Sequence, residues 1–76
     1  MRNRYQRDNA RLHIRFEGRS WDILCRDLDV GPNSSDEQVR RALANYFDVA
    51  LGKFQAYVIE RHENGNMTVR PEAVFG

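Results

Sequence analysis

Apolar and polar residues alternate through "RLHIRFEGRSWDILCR", residues 11–26, on both sides of Gly18-Arg19. A period of two with glycine at the centre predicts a β-hairpin closed by a two-residue type II′ turn with Gly18 first. That turn sets Phe16 opposite Trp21, Ile14 opposite Ile23 and Leu12 opposite Cys25 on an apolar face, with Arg15 opposite Asp22 on the other. The rhythm then breaks at Gly31-Pro32-Asn33 and resumes with a helical period. Val39, Ala42, Leu43, Tyr46 and Phe47 form one apolar stripe. Ser34 followed by Glu37 reads as a capping box, and Asp36 adds negative charge at the positive end of the helix. Arg40, Arg41 and Asn45 fall off the stripe and are expected to face water. The helix should stop between Asp48 and Gly52.

A second alternating stretch, "FQAYVIERHENGNMTVRP", predicts a second hairpin. A two-residue Asn64-Gly65 loop would mix polar and apolar partners. A three-residue Glu63-Asn64-Gly65 loop pairs Ile59 with Val69 and Tyr57 with Pro71, and is preferred. Pro71 cannot donate a ladder hydrogen bond, so pairing should end there. Strand, strand, helix, strand, strand with a right-handed crossover gives an α+β fold: a mixed four-stranded sheet of order 2-1-4-3 with one helix on one face. On the hairpin "LHIRFEGRSWDIL", the capped helix "SSDEQVRRALANYF" and the terminal strand "MTVR" leading to a C-terminal glycine, the chain resembles the ubiquitin-like β-grasp proteins. The small bacterial ubiquitin-like proteins and sulfur carriers belong to that group. The resemblance covers residues 11–76 and is one of pattern and length.

Composition narrows this picture. A chain of 76 residues is one small domain, burying about 60% of the surface its unfolded form exposes, so a deep active site is not expected. One cysteine, Cys25, excludes an internal disulfide framework and fits a reducing compartment, with the cytoplasm as the expected location. No apolar run is long enough to span a bilayer, and the start lacks the apolar middle of a secretory signal. The net charge of +1 is unevenly spread. Residues 1–10 are polar, carry Arg2, Arg4 and Arg7 with Tyr5, and are expected to form a flexible basic arm. Acidic side chains outnumber basic ones from residue 12 onward, so the body is not a nucleic-acid surface.

Candidate chemistry is sparse. Ubiquitin-like modifiers and sulfur carriers end in a glycine pair whose carboxylate a partner enzyme adenylates. The resemblance thus points to Gly76, but Phe75 occupies the penultimate place, and its ring would obstruct the narrow channel of an activating enzyme. The plainer expectation packs Val74 and Phe75 on the rim of the core; a third inserts the tail into a partner's groove. Alternation puts Cys25 on the covered face and His13 on the other, so they cannot act as nucleophile and base. His13 and His62 lack a third ligand at metal spacing, and neither metal nor cofactor is expected. The uncovered face should display His13, Arg15, Asp22, Leu24, Arg26, Val58, Glu60, Thr68 and Arg70. In ubiquitin-like proteins this face is the usual recognition surface, and here arginines and His13 would surround an apolar centre of Leu24 and Val58. The expected function is a non-catalytic protein-interaction module, monomeric, with another protein as partner and no membrane. The alternatives are a modifier or sulfur carrier activated at Gly76, and weak salt-sensitive nucleic-acid binding through Arg2, Arg4 and Arg7.

Overall fold

The computed structural model describes residues 10–72. Strand β1 (Arg11–Phe16) turns back into β2 (Arg19–Leu24), a 3-10 turn follows at Cys25–Leu28, and helix α1 spans Asp36–Phe47. A second 3-10 turn at Leu51–Phe54 leads to β3 (Tyr57–Arg61) and β4 (Met67–Pro71). The four strands form one mixed sheet of order β2-β1-β4-β3, with β1 and β4 parallel at its centre, as the order of elements with a right-handed crossover predicts.

The first hairpin differs from expectation by two residues of register. Its turn is Glu17-Gly18, both with positive φ (52° and 80°), the geometry of a type I′ turn. Phe16 therefore faces Arg19, Ile14 faces Trp21, Leu12 faces Ile23 and His13 faces Asp22, while Arg15 meets Ser20. A shift of two preserves which face each side chain occupies, so the inside and outside of the sheet are unchanged. The strand also ends sooner than expected: Cys25 and Arg26 lie in the 3-10 turn, so Arg26 is not on the outer face of the sheet. The second hairpin matches the three-residue loop, pairing Ile59 with Val69 and Tyr57 with Pro71. Gly65 sits at φ 93°, where a side chain would be strained.

The capping box is formed by Ser35 and Gln38, one position after the expected pair. The Ser35 hydroxyl accepts from the Gln38 amide at 3.1 Å, and the Gln38 side chain accepts from the Ser35 amide at 2.7 Å. Ser34 instead accepts from the Gly31 amide at 2.9 Å and holds the entering loop. The helix ends at Asp48 in the left-handed conformation. Starting one residue later does not move the stripe: Val39 and Leu43 are fully buried, joined by Ala44, with Ala42 and Phe47 packed at the margin. Tyr46 is the exception, 49% exposed at the end of the stripe.

The core under the helix is Leu12, Ile14, Phe16, Ile23, Met67 and Val69 from the sheet, with Val39 and Leu43 above them. Phe54, in the second 3-10 turn, is fully buried and is the largest such side chain. Its ring lies 5.0 Å from Phe16 and 5.1 Å edge-on from Tyr57, filling the space beyond the end of the helix. Trp21, on the edge strand β2, is only half-buried, its ring 5.3 Å edge-on from Phe47 at the end of α1. Ala10, expected in the arm, is 5% exposed, and its carbonyl accepts from the Cys25 amide at 2.9 Å.

Candidate functional site

The side of the sheet away from α1 carries His13 and Arg15 on β1, Asp22 and Leu24 on β2, Val58 and Glu60 on β3, and Thr68 and Arg70 on β4. No element covers this face among the described residues. The pairing register lays it out in rows across the strands. One row runs Asp22, His13, Thr68, Glu60; the next contains Ser20, Arg15, Arg70 and Val58. Leu24 and Val58 consequently occupy opposite corners, on the two edge strands. They do not form the shared apolar centre that the sequence reading expected, because sheet order places β2 and β3 farthest apart.

What occupies the middle is a polar lattice. His13 Nδ1 stands 2.8 Å from Asp22 Oδ1; the carboxylate can only accept, so Nδ1 carries the proton and Nε2 is left free. His62 Nε2 lies 2.8 Å from the Thr68 hydroxyl. Arg70 donates to Glu60 across the β3–β4 pair at 3.0 Å. These bonds fix side chains that would otherwise sample several rotamers, although exposed pairs of this kind contribute only about 0.2–1 kcal/mol each to stability. Arg11, His13, His62, Asn64 and Asn66 border a wide, open depression of about 700 Å³ at the loop end of this face. The Arg11 amide donates to Asn66 Oδ1 at 2.9 Å, tying the start of β1 to that loop.

Cys25 is buried on the covered side, and desolvation pushes its thiol above the ordinary value, so it is a core group; His13 is on the opposite side of the sheet. Burial, with the Glu17 carboxylate second, also raises the Tyr57 phenol. Among the described residues no three His, Cys, Asp or Glu side chains are grouped to hold a metal ion, and no helix is long and apolar enough to cross a membrane. Val74, Phe75 and Gly76, and Arg2, Arg4 and Arg7, lie outside the described residues.

Sequence reasoning missed two groups. Arg40, expected to face water, is half-buried and donates to the Tyr57 carbonyl at 3.1 Å. Arg61 reaches from the covered side of β3 to Asp36 in the first turn of α1. Neither contact has a local signal, since each joins residues at least 17 positions apart.

No family model, curated protein or solved structure matches the chain.

Proposed function

We propose that the chain is a non-catalytic protein-interaction module of ubiquitin-like β-grasp type that binds another protein through the outer face of its sheet. The observation that carries this reading is the division of the sheet. One side holds the entire core under α1, and the other is open and paved with side chains already held by cross-strand bonds. Pre-set side chains lose less rotamer freedom on binding, which favours recognition by polar contacts. Arg15 and Arg70 stand beside each other on the two central strands and suit a partner that offers carboxylates. Leu24 and Val58 serve at the rim. The open depression excludes no water, which favours binding over catalysis.

Affinity capture of a partner from the native cell, repeated with Arg15→Glu and Arg70→Glu, tests the reading. Charge reversal should reduce capture more than tenfold, about 1.4 kcal/mol or more, with the unfolding midpoint nearly unchanged. Leu24→Asp should cost less. Undiminished capture by the doubly reversed protein removes the outer face as the interface.

A further inference from the structure

We infer that the depression at the loop end of the outer face is a receptor for a phosphate group, held by Arg11, Asn64, Asn66 and the two histidines. It is a second site beside the protein contact proposed above and does not rest on it. Two side-chain amides there have their orientation fixed by the backbone. The Arg11 amide donates to Asn66 Oδ1 at 2.9 Å, and the Asn66 amide donates to Asn64 Oδ1 at 3.0 Å. A backbone N–H can only donate, so in each case the oxygen is the atom turned to the backbone. Both Nδ2 groups are thereby left as donors, and neither has a partner among the described residues.

The Arg11 guanidinium stands at the same place. Pairing of Leu12 with Met67 sets Arg11 next to Asn66 on the two central strands, and the His62 amide donates to the Asn66 carbonyl, which brings His62 alongside. Arg41, Lys53, Arg61 and Arg70 each face a carboxylate, whereas Arg11 has none among the described residues. The Thr68 hydroxyl, 2.8 Å from His62 Nε2, can supply the proton of that contact, which leaves Nδ1–H as a further donor. His13, one row along the sheet, complements these groups. Asp22 fixes its proton on Nδ1, so Nε2 is an acceptor.

Several donors, one of them charged, match an anion with several oxygens, and an acceptor nitrogen among them matches one that still carries a proton. A phosphate group offers both. Sulfate offers only the first, and a carboxylate has too few oxygens to meet all the donors. The opening of about 700 Å³ is wide enough to admit the group when it is carried on a larger molecule. Two carboxylates border the site: Asp22 is already engaged by His13, and Glu63, in the loop, opposes the anion. Affinity is therefore modest, with Kd on the order of 1 mM. Arg15 and Arg70 lie on the far side of His13 and Thr68 and do not line the depression.

The test titrates the full chain with inorganic phosphate near neutral pH, following the side-chain amide signals of Asn64 and Asn66 and the Arg11 Nε signal by heteronuclear NMR. Saturable shifts are expected at these groups, with Arg15 and Arg70 moving little. Asn66→Asp keeps the oxygen that accepts from the Arg11 amide and replaces the donor with an anion. The urea midpoint should hold, and phosphate affinity should fall more than about tenfold. Arg11→Gln should weaken binding by about tenfold, whereas Arg15→Gln with Arg70→Gln should change it less than about threefold, which separates this site from the protein-binding face. Glu63→Gln removes the opposing carboxylate and should strengthen binding about threefold. Sulfate should bind at least about threefold more weakly, because it has no proton for His13 Nε2. A capped phosphoserine peptide identifies the source: tighter binding than inorganic phosphate assigns the site to a phosphorylated partner, equal or weaker binding to the free anion, and both support the site. Shifts that do not saturate, parental affinity in Asn66→Asp, equal binding of sulfate, or loss only on changing Arg15 and Arg70 would each overturn the proposal.

Discussion

β2 and β3 bound the same sheet, each beside a central strand, yet they leave their outward backbone in opposite conditions. On β3 the first free carbonyl is taken by Arg40 from the helix, and Arg61 is drawn over to Asp36. On β2, where Arg19, Trp21 and Ile23 bond to β1, the corresponding groups of Ser20 and Asp22 meet no partner among the described residues. The difference follows from where α1 lies. Arg40, off the apolar stripe of α1, reaches the β3 rim, whereas toward β2 the helix sends Phe47, whose ring packs on Trp21 and offers no hydrogen bond. Trp21, left half-buried on the far side, records the same asymmetry in packing. Sheet edges are a liability that proteins either blunt or use, and here one is blunted.

The largest effect separating the two conditions lies within β2 itself. Ile23→Pro removes a donor bonded to β1 and a buried side chain, and should cost about 3 kcal/mol or more. Ser20→Pro removes only an outward N–H and should cost less than about 1 kcal/mol. Urea unfolding of both variants checks the assigned alternation; equal losses would mean that Ser20 is not on a free edge. Next in size, Arg40→Ala uncovers the Tyr57 carbonyl and should cost about 1–2 kcal/mol. It should also leave the β3 edge open to pairing, with weak self-association, absent from the parent protein, visible by sedimentation at high concentration. A smaller, opposite change is expected at the turn that fixes the β2 register. Glu17 adopts φ 52°, which asparagine tolerates better, so Glu17→Asn should raise stability by about 0.5–1 kcal/mol in the same assay.

The finest distinction is one of pH, because each rim has a titrating group at its margin: Cys25 directly after β2 and Tyr57 at the start of β3. Both are held above their ordinary values by burial. The folded protein keeps these protons to higher pH than the unfolded chain, so stability is fully present at neutral pH. It falls as pH rises, first through the thiol range near about 8.5–9 and then through the phenol range near about 10. Cys25→Ala should flatten the first part of that decline and leave the second, as read from unfolding midpoints between neutral pH and pH ~10.5.

The strand order, the core stripe Val39 and Leu43 and the second hairpin loop were legible because period and turn chemistry are local signals. The first turn was misplaced because glycine fits either turn position, and only the willingness of Glu17 to take a left-handed conformation decides between them. The capping box slipped by one for a similar reason: "SSDEQ" offers two serines with an acid or amide three places on. Phe54 carries no periodicity at all. Its burial arises from the space that the helix leaves beyond Phe47, which exists only in three dimensions. The candidate outer face was legible residue by residue but not as a layout. Leu24 and Val58 share a side of the sheet, and strand order then sets them at opposite corners. Arg40 was unreadable because a helix position off the apolar stripe says nothing about which strand its guanidinium can reach.

The two middle strands, β1 and β4, are the most distant in sequence, and the register Leu12–Met67 joins them directly. During synthesis the first hairpin and the helix emerge with an unfilled slot between them. Until Met67–Pro71 pairs with β1 the interior stays incomplete, however much of the hairpin and helix has formed, so closing this long-range pair sets the pace of folding.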